Sequence, residues 1–451
     1  MPKFLTQISW RWLLVGALVA LLAVVVACGD DDDDGDASPT DTPAASETEP
    51  AGETPDPGAP LKIGALLSFT GPLSDFGEPI FSGAELAVTE INAAGGVNGQ
   101  DVELVRGDTA TNPDQGATEA QRLVDIEGVQ GIVGALSSGV SLRIAEQVTG
   151  PAGVVQISPA STSPALTDAN DSDFLFRTTI SDAAQGLVLA NLADDAGYGT
   201  VCNIFVNNAY GEGLSDAFTA AFENLAGTVN AAVPHEEAQV TYASELAQCE
   251  GADALAAMAY PESAGIFLRE AVEGELFDNY VFVDGTKSTD MFDELGWAPF
   301  DGARGTAPAA LPTDTEAGFA ARYEAAYGDL PSLPFIKEAY DAVYVIALAA
   351  EAAGSTDRTA IRDEIRNVAN DPGTVVDPGT EGFTAAIAAL AAGDDINYEG
   401  VTGPLEFDSA GDPAVGAIEW FHVDGTAEEF VQDKVWKVDL ATLTVEDITG
   451  Q

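Results

Sequence analysis

Residues 61–108 constrain the fold more than any other stretch of this chain. LKIGALLSF, residues 61–69, is apolar at Ile63, Leu66, Leu67 and Phe69 and leaves almost no polar positions, so it reads as a strand covered on both faces. Gly71-Pro72 ends it. Ser82, with Glu85 three residues on, reads as a capping box, and the helix behind it places Ala84, Ala87, Val88 and Ile91 on one face. Gly95-Gly96 closes that helix, and VELVRGD supplies a second strand ending at Asp108. Strand, loop, helix and strand make one βαβ unit, whose ligands bind at the loop beyond the carboxyl end of the strand. The loop TGPLSDFG, residues 70–77, is the first place to look for binding.

The alternation continues through most of the chain. Helices are expected at 114–127, 139–149, 182–196, 212–226, 241–250 and 263–274. Strands are expected at 130–136, 153–157, 174–179, 200–206, 228–233, 253–259 and 280–284. Strands separated by single helices call for parallel sheets covered on both faces. Residues 315–393 read as mostly helical and Ala-rich, and 403–440 as strands and turns. About 390 residues exceed one hydrophobic core and imply two lobes.

The front end is a different kind of sequence. Lys3 and Arg11 precede an apolar run from Trp12 to Ala27, followed at once by Cys28. A charged start, a short apolar core and small residues before the cut make a signal peptide over 1–27. Val25-Val26-Ala27-Cys28 looks like a bacterial lipobox, with Cys28 the lipidated N-terminus. The run is about 16 residues, short of the roughly 20 that a membrane span needs. Residues 28–60 then lack large apolar side chains and carry 11 acidic groups with no basic one. They read as a disordered tether reaching on the order of 100 Å at roughly 3.1 Å per residue. Asp30 to Gly35 fits the first half of a calcium loop, but such loops need flanking helices, and an Asp run matches the pattern by chance.

The net charge of −57 excludes nucleic acid as a partner, because phosphate contacts require a basic face. The acidic residues are spread along every segment, which reads as a solubility feature. Cys202 and Cys249 either form a disulfide stapling one lobe or stay as two buried thiols.

Several stretches together resemble the type I solute-binding proteins of ABC importers, in the branched-chain amino-acid group. They are IGALLSFTGPLSDFGEPIFSGAELAVTEINAAGGVNG, VGALSSG at 133–139, ISPASTSPALT at 157–167, NNAYGEG at 207–213, YPES at 260–263, FVDGTKS at 282–288 and GPLEFDSAGD at 403–412. The resemblance implies an α/β fold of two Rossmann-like lobes with mostly parallel sheets, three crossovers and a ligand cleft between the lobes. Lobe 1 would comprise 61–178 plus 307–412, and lobe 2 would comprise 179–306 plus 413–451. It also implies a monomer without cofactor or metal, bound to the membrane by lipid on Cys28. This receptor would hand a small zwitterion, an aliphatic amino acid, to a permease and an ATPase by hinge closure.

Site residues carry over position by position. Ser138, Ala160 and Thr162 match the positions that hold the ligand's carboxylate and ammonium in the first lobe. Tyr210, Tyr260 and Asp284 match those that close over it from the second, with the acidic position pairing the ammonium. Phe335 would line the side-chain pocket. Phe76 stands where Leu/Ile/Val binders have a tyrosine, and Asp284 is one methylene shorter than the usual glutamate.

Each of these residues also has a plainer reading: Ser and Thr cap helices and turns, Asp284-Gly285 is a common turn pair, Tyr210 is a packed aromatic, and Phe335 is helix core. Two other functions fit parts of the pattern. A domain of this kind can report an amide, urea or an amino acid to a signalling partner. Ala135-x-Ser137-x-Gly139 also approximates a nucleophile elbow, but a hydrolase needs a histidine base, and His235 and His422 are placed by no motif.

Overall fold

Two parallel-stranded sheets, each flanked by helices, organise the chain. The structure, a computed structural model, describes residues 59–313 and 315–450. The signal peptide, Cys28, the tether and the Asp30–Gly35 run lie outside the described residues.

The first sheet runs β2 (Glu103–Asp108), β1 (Lys62–Leu67), β3 (Gly131–Gly134), β4 (Val155–Ser158) and β5 (Leu175–Arg177), all parallel. Its central strand β1 is buried from Ile63 to Leu67, as a strand with helices on both faces must be. The second sheet has eight strands. β6 (Thr200–Val206), β7 (Thr228–His235), β8 (Ala254–Met258), β9 (Tyr280–Phe282) and β10 (Arg304–Ala309) run parallel to one another. A small third sheet pairs β11 (Thr374–Val376), β12 (Ile396–Gly400) and β13 (Gly403–Pro404). The second sheet is then extended by antiparallel β14 (Val415–Asp424), β15 (Glu429–Asp439) and β16 (Thr444–Asp447). β10 carries the second sheet as far as Ala309, so the chain leaves that sheet after residue 309. The second sheet is stapled by a Cys202–Cys249 disulfide with Cα atoms 5.3 Å apart.

The first helix corrects one reading. It spans Ser74–Ala93 and begins eight residues before Ser82, whose hydroxyl donates to the Glu78 carbonyl inside the helix (3.1 Å). Ser82 and Glu85 are therefore not a capping box. The apolar stripe explains the earlier start, since Leu73, Phe76, Ile80, Ala84, Ala87 and Ile91 fall at helical spacing and are all buried. Their burial carries the helix through Pro79, which costs one backbone hydrogen bond. The expected stop is where the sequence placed it. Gly96 has φ +74°, and its N–H bonds the Ile91 carbonyl at 2.9 Å. Half of the TGPLSDFG loop is thus the first turn of a helix, which sets Leu73 and Phe76 beyond the end of β1.

Residues 315–393 are helical at Glu316–Tyr327, Ile336–Ala353, Arg358–Ala369 and Thr380–Ala392, with β11 between the last two. The Ile336–Ala353 helix is buried along almost its whole length and packs against Ser74–Ala93 and the first sheet. Among the described residues, no helix is long and apolar enough to cross a membrane.

Candidate functional site

Two loops of the first sheet are knitted together by hydroxyls. Ser158 Oγ, at the end of β4, donates to the Ala135 carbonyl (2.7 Å) and accepts from the Ser161 N–H (3.0 Å). Ser141 Oγ bonds Ser161 Oγ (2.8 Å), and Ser138 Oγ accepts from the Ser163 N–H (3.2 Å). The second loop is also clamped from below. Arg177, fully buried, makes a two-pronged pair with Asp412 (both contacts 2.6 Å) and donates to the carbonyls of Ser161, Thr162 and Ser163. A guanidinium has the donors for both tasks at once. The positions of Ala160 and Thr162 thus follow from a buried ion pair between β5 and the segment after β13.

The second sheet presents its strand ends opposite. Asn208 caps the Ala209–Asn224 helix by accepting from the N–H groups of Tyr210 and Gly211, which turns Tyr210 inward. The rings of Tyr210 and Tyr260 stack at 5.4 Å. Asp284 follows β9 in a short turn. Its Oδ1 accepts from the Tyr210 hydroxyl (2.9 Å) and from Gln185 Nε2 (2.8 Å). Gly285 is required there, because a Cβ would stand 2.5 Å from the Ala259 carbonyl oxygen and 2.9 Å from the Tyr210 hydroxyl. Burial pushes the Asp284 carboxyl up to about 6, with the Gln185 and Tyr210 bonds pulling the other way.

The two halves touch. Ser137 Oγ lies 3.0 Å from the Tyr260 hydroxyl, Ser163 Oγ donates to the Ala209 carbonyl (2.6 Å), and Ser288 Oγ donates to Asp75 Oδ2 (2.6 Å). Between them lies a small, nearly closed pocket. Phe76, Ser138, Ala160, Tyr210, Tyr260, Asp284 and Phe335 all line it. Thr162 does not. It is fully buried behind the lining, with its carbonyl accepting from the Asp182 N–H (2.7 Å).

The sequence reading missed Leu73, Ile80 and Leu136, which complete an apolar wall with Phe76 and Phe335. Leu73 and Ile80 flank Phe76 at spacings of three and four, a signal hidden by starting the helix at Ser82. Phe335 has φ +79°, an unusual conformation for an aromatic residue, and caps the Ile336–Ala353 helix. Among the described residues, Asp284 is the only ionisable acid or base lining the cavity apart from the tyrosines. The lining therefore combines apolar side chains with hydroxyls and a single carboxyl.

Hydrolysis finds no support in this arrangement. Ser137 bonds Tyr260, His235 lies buried against Tyr242 and Phe267 in the second lobe, and His422 pairs with Asp433. Among the described residues, no group of three or more His, Cys, Asp and Glu side chains is placed to hold a metal.

Residues 60–424 match the family model described as periplasmic binding protein. Leu/Ile/Val-binding protein homolog 3 of Brucella melitensis is 31% identical over 311 residues, covering 67% of this chain and 82% of that protein. The chemotactic signal transduction system substrate-binding protein BasB of Halobacterium salinarum is 28% identical over 369 residues, 80% of this chain and 86% of its own. Among solved structures, the leucine-binding protein LivK of Thermotoga maritima superposes with a TM-score of 0.70 at 25% identity, over 85% of this chain and 100% of that one. These relatives are binding proteins, not enzymes.

Proposed function

The chain belongs to the periplasmic binding protein family of substrate-binding receptors, and on that premise we propose that it captures an aliphatic amino acid between its two lobes. The observation that carries this reading is the polarity of the cavity. A single buried carboxyl lines it beside Leu73, Phe76, Ile80 and Phe335, so the carboxyl would meet the ammonium and the apolar residues would take the side chain. Ser138 and the Ala160 loop, held rigid by Arg177, would meet the carboxylate, with Thr162 as support from behind. Tyr210, Tyr260 and Asp284 would complete the site on hinge closure. A carboxylate facing an ammonium in a closed cleft forms a charge-assisted hydrogen bond.

Receptors of this family work outside the cytoplasm. The sequence supports a lipid anchor on Cys28 and a long acidic tether, so the receptor would sit beside a permease and ATPase to which it delivers its ligand. Calorimetry with the twenty amino acids tests the ligand class; heat from none of them sinks it. Asp284→Asn should weaken binding of the best amino acid by about 1.5–3 kcal/mol, the usual worth of a hydrogen bond to a charged group. Unchanged affinity would remove Asp284 from the site. Globomycin-sensitive processing at Cys28 tests the anchor.

A second reading has support from the chemotactic relative, namely that the same closure reports the ligand to a signalling partner. Deleting the gene separates the two: lost uptake of radiolabelled leucine favours delivery, and lost taxis with normal uptake favours sensing.

A further inference from the structure

Behind Asp284 the structure buries a second carboxyl whose oxygens lack regular hydrogen-bond partners. Asp182, the first residue of the Asp182–Asp195 helix, is fully buried, and neither of its carboxyl oxygens has a partner at ordinary hydrogen-bond geometry. Thr162 Oγ1, Gln185 Oε1 and Thr306 Oγ1 are likewise buried without partners. Gln185, one helical turn after Asp182 on the same helix, reaches Asp284, because its Nε2 donates to Asp284 Oδ1 (2.8 Å) and to the Thr306 carbonyl (3.2 Å).

Among the described residues, the cations closest to the two carboxyls in sequence or in charge effect are already paired. Arg177, whose charge bears on Asp182, is committed to Asp412 and three carbonyls, and Lys287, three residues after Asp284, pairs with Glu419. From the Ala209–Asn224 helix comes only the Tyr210 hydroxyl, already donated to Asp284. Burial, then the charge of Asp284, holds the Asp182 carboxyl well above the ordinary range, while Thr162 and Arg177 pull it down. Two interacting carboxyls titrate as a pair. An ammonium brings three donors and no acceptor, which is the complement of this group.

We propose that Asp182 and Asp284 act as one acidic pair that holds a single proton in the ligand-free receptor and surrenders it to solvent when a ligand's ammonium binds. This rests on the amino-acid reading above and deepens it, because it makes a cationic group a requirement. The charge balances: one proton leaves as one positive charge arrives. Asp182 is then a positioning residue that acts through Asp284. A ligand lacking a cation, such as benzoate, meets a protonated pair and gains nothing from it. The affinity for an ammonium ligand rises with pH across the neutral range.

Calorimetry of L-leucine with the full chain, in phosphate and in Tris at pH 7, counts the protons exchanged. The expected result is release of a substantial fraction of one proton by the wild type, and a much smaller release by Asp182→Asn, whose affinity no longer climbs with pH. Leucine binding with no buffer-dependent heat overturns the pair and leaves the amino-acid reading intact. A ligand-free measurement stands beside it. The infrared difference between wild type and Asp182→Asn at pH 7 should show the carbonyl stretch of a protonated carboxyl, and its absence overturns the pair whatever leucine does. That band in a protein that binds no amino acid supports the pair and overturns the amino-acid reading. Should the variant not fold, the wild-type buffer comparison still decides.

Discussion

The two walls of the cavity are built on opposite plans. On the first lobe, the loops after β3 and β4 carry neutral hydroxyls, most of them engaged, with Ser158, Ser161, Ser141 and Ser138 bonded to one another or to backbone. On the second, Asp284 lines the cavity as a buried acid, and behind it Asp182 has both carboxyl oxygens unpartnered. A satisfied network holds its shape without a ligand, whereas unmet acceptors gain most when a donor arrives. The first wall therefore works as a preformed shelf, and the second carries the charge that selects what settles on it.

The largest expected effect breaks the shelf. Asp412→Ala strands the fully buried Arg177, and removing one partner of such a pair costs about 3–5 kcal/mol. Urea unfolding should show that loss. Leucine binding should weaken as well, since Arg177 then no longer fixes the carbonyls of Ser161 to Ser163. A destabilised variant with wild-type affinity would show that the shelf is positioned by something else.

The matching change in the second lobe should separate stability from binding. Replacing both Cys202 and Cys249 by Ser frees a loop of 47 residues, worth about 4 kcal/mol on loop entropy and often less in practice. The bridge joins β6 to the turn before β8, away from the cavity lining, so affinity should hold while the unfolding midpoint falls.

How far these contrasts were visible in the sequence follows from the range of the forces involved. The order of strands and helices was legible because hydrophobic period and glycine punctuation are local signals. Asp284, Tyr210 and Tyr260 were legible as residues just past strand ends of a recognisable family. The start of the first helix was misread because Ser82 and Glu85 match a capping box by spacing alone, and only the burial of Leu73 and Phe76 shows that the stripe continues upstream. Asp182 was invisible as a site residue, since an acid in the first turn of a helix reads as an ordinary helix start. Its environment is set by Thr162 and Asp284, distant in sequence and brought together only by the fold.

The acid pair also gives the second wall a pH dependence that the first lacks. Asp284 is raised from 3.8 to about 6 in the folded state, so folded protein holds a proton there that unfolded chain has lost. The stability this contributes is full below about pH 4 and disappears as pH rises through about 6. Two units amount to about 3 kcal/mol at most. Asp182, also raised by burial and by the Asp284 charge, adds to the decline. Urea midpoints of the ligand-free chain, taken from pH 4 to 8, should therefore fall less steeply for Asp182→Asn than for wild type. Equal slopes would detach Asp182 from this titration.

The smallest effect tests the shelf by one hydroxyl. Ser138 is buried, and its Oγ accepts from the Ser163 N–H while lining the cavity. Ser138→Ala removes one neutral hydrogen bond, worth about 0.5–1.5 kcal/mol, from an assembly held together elsewhere by Ser158, Ser141 and Arg177. Affinity for leucine should fall by no more than about tenfold, with no change in the number of protons released, because the variant leaves both carboxyls of the opposite wall untouched. A loss matching that of Asp284→Asn would mean that the hydroxyl shelf, and not the carboxyl wall, carries the selectivity.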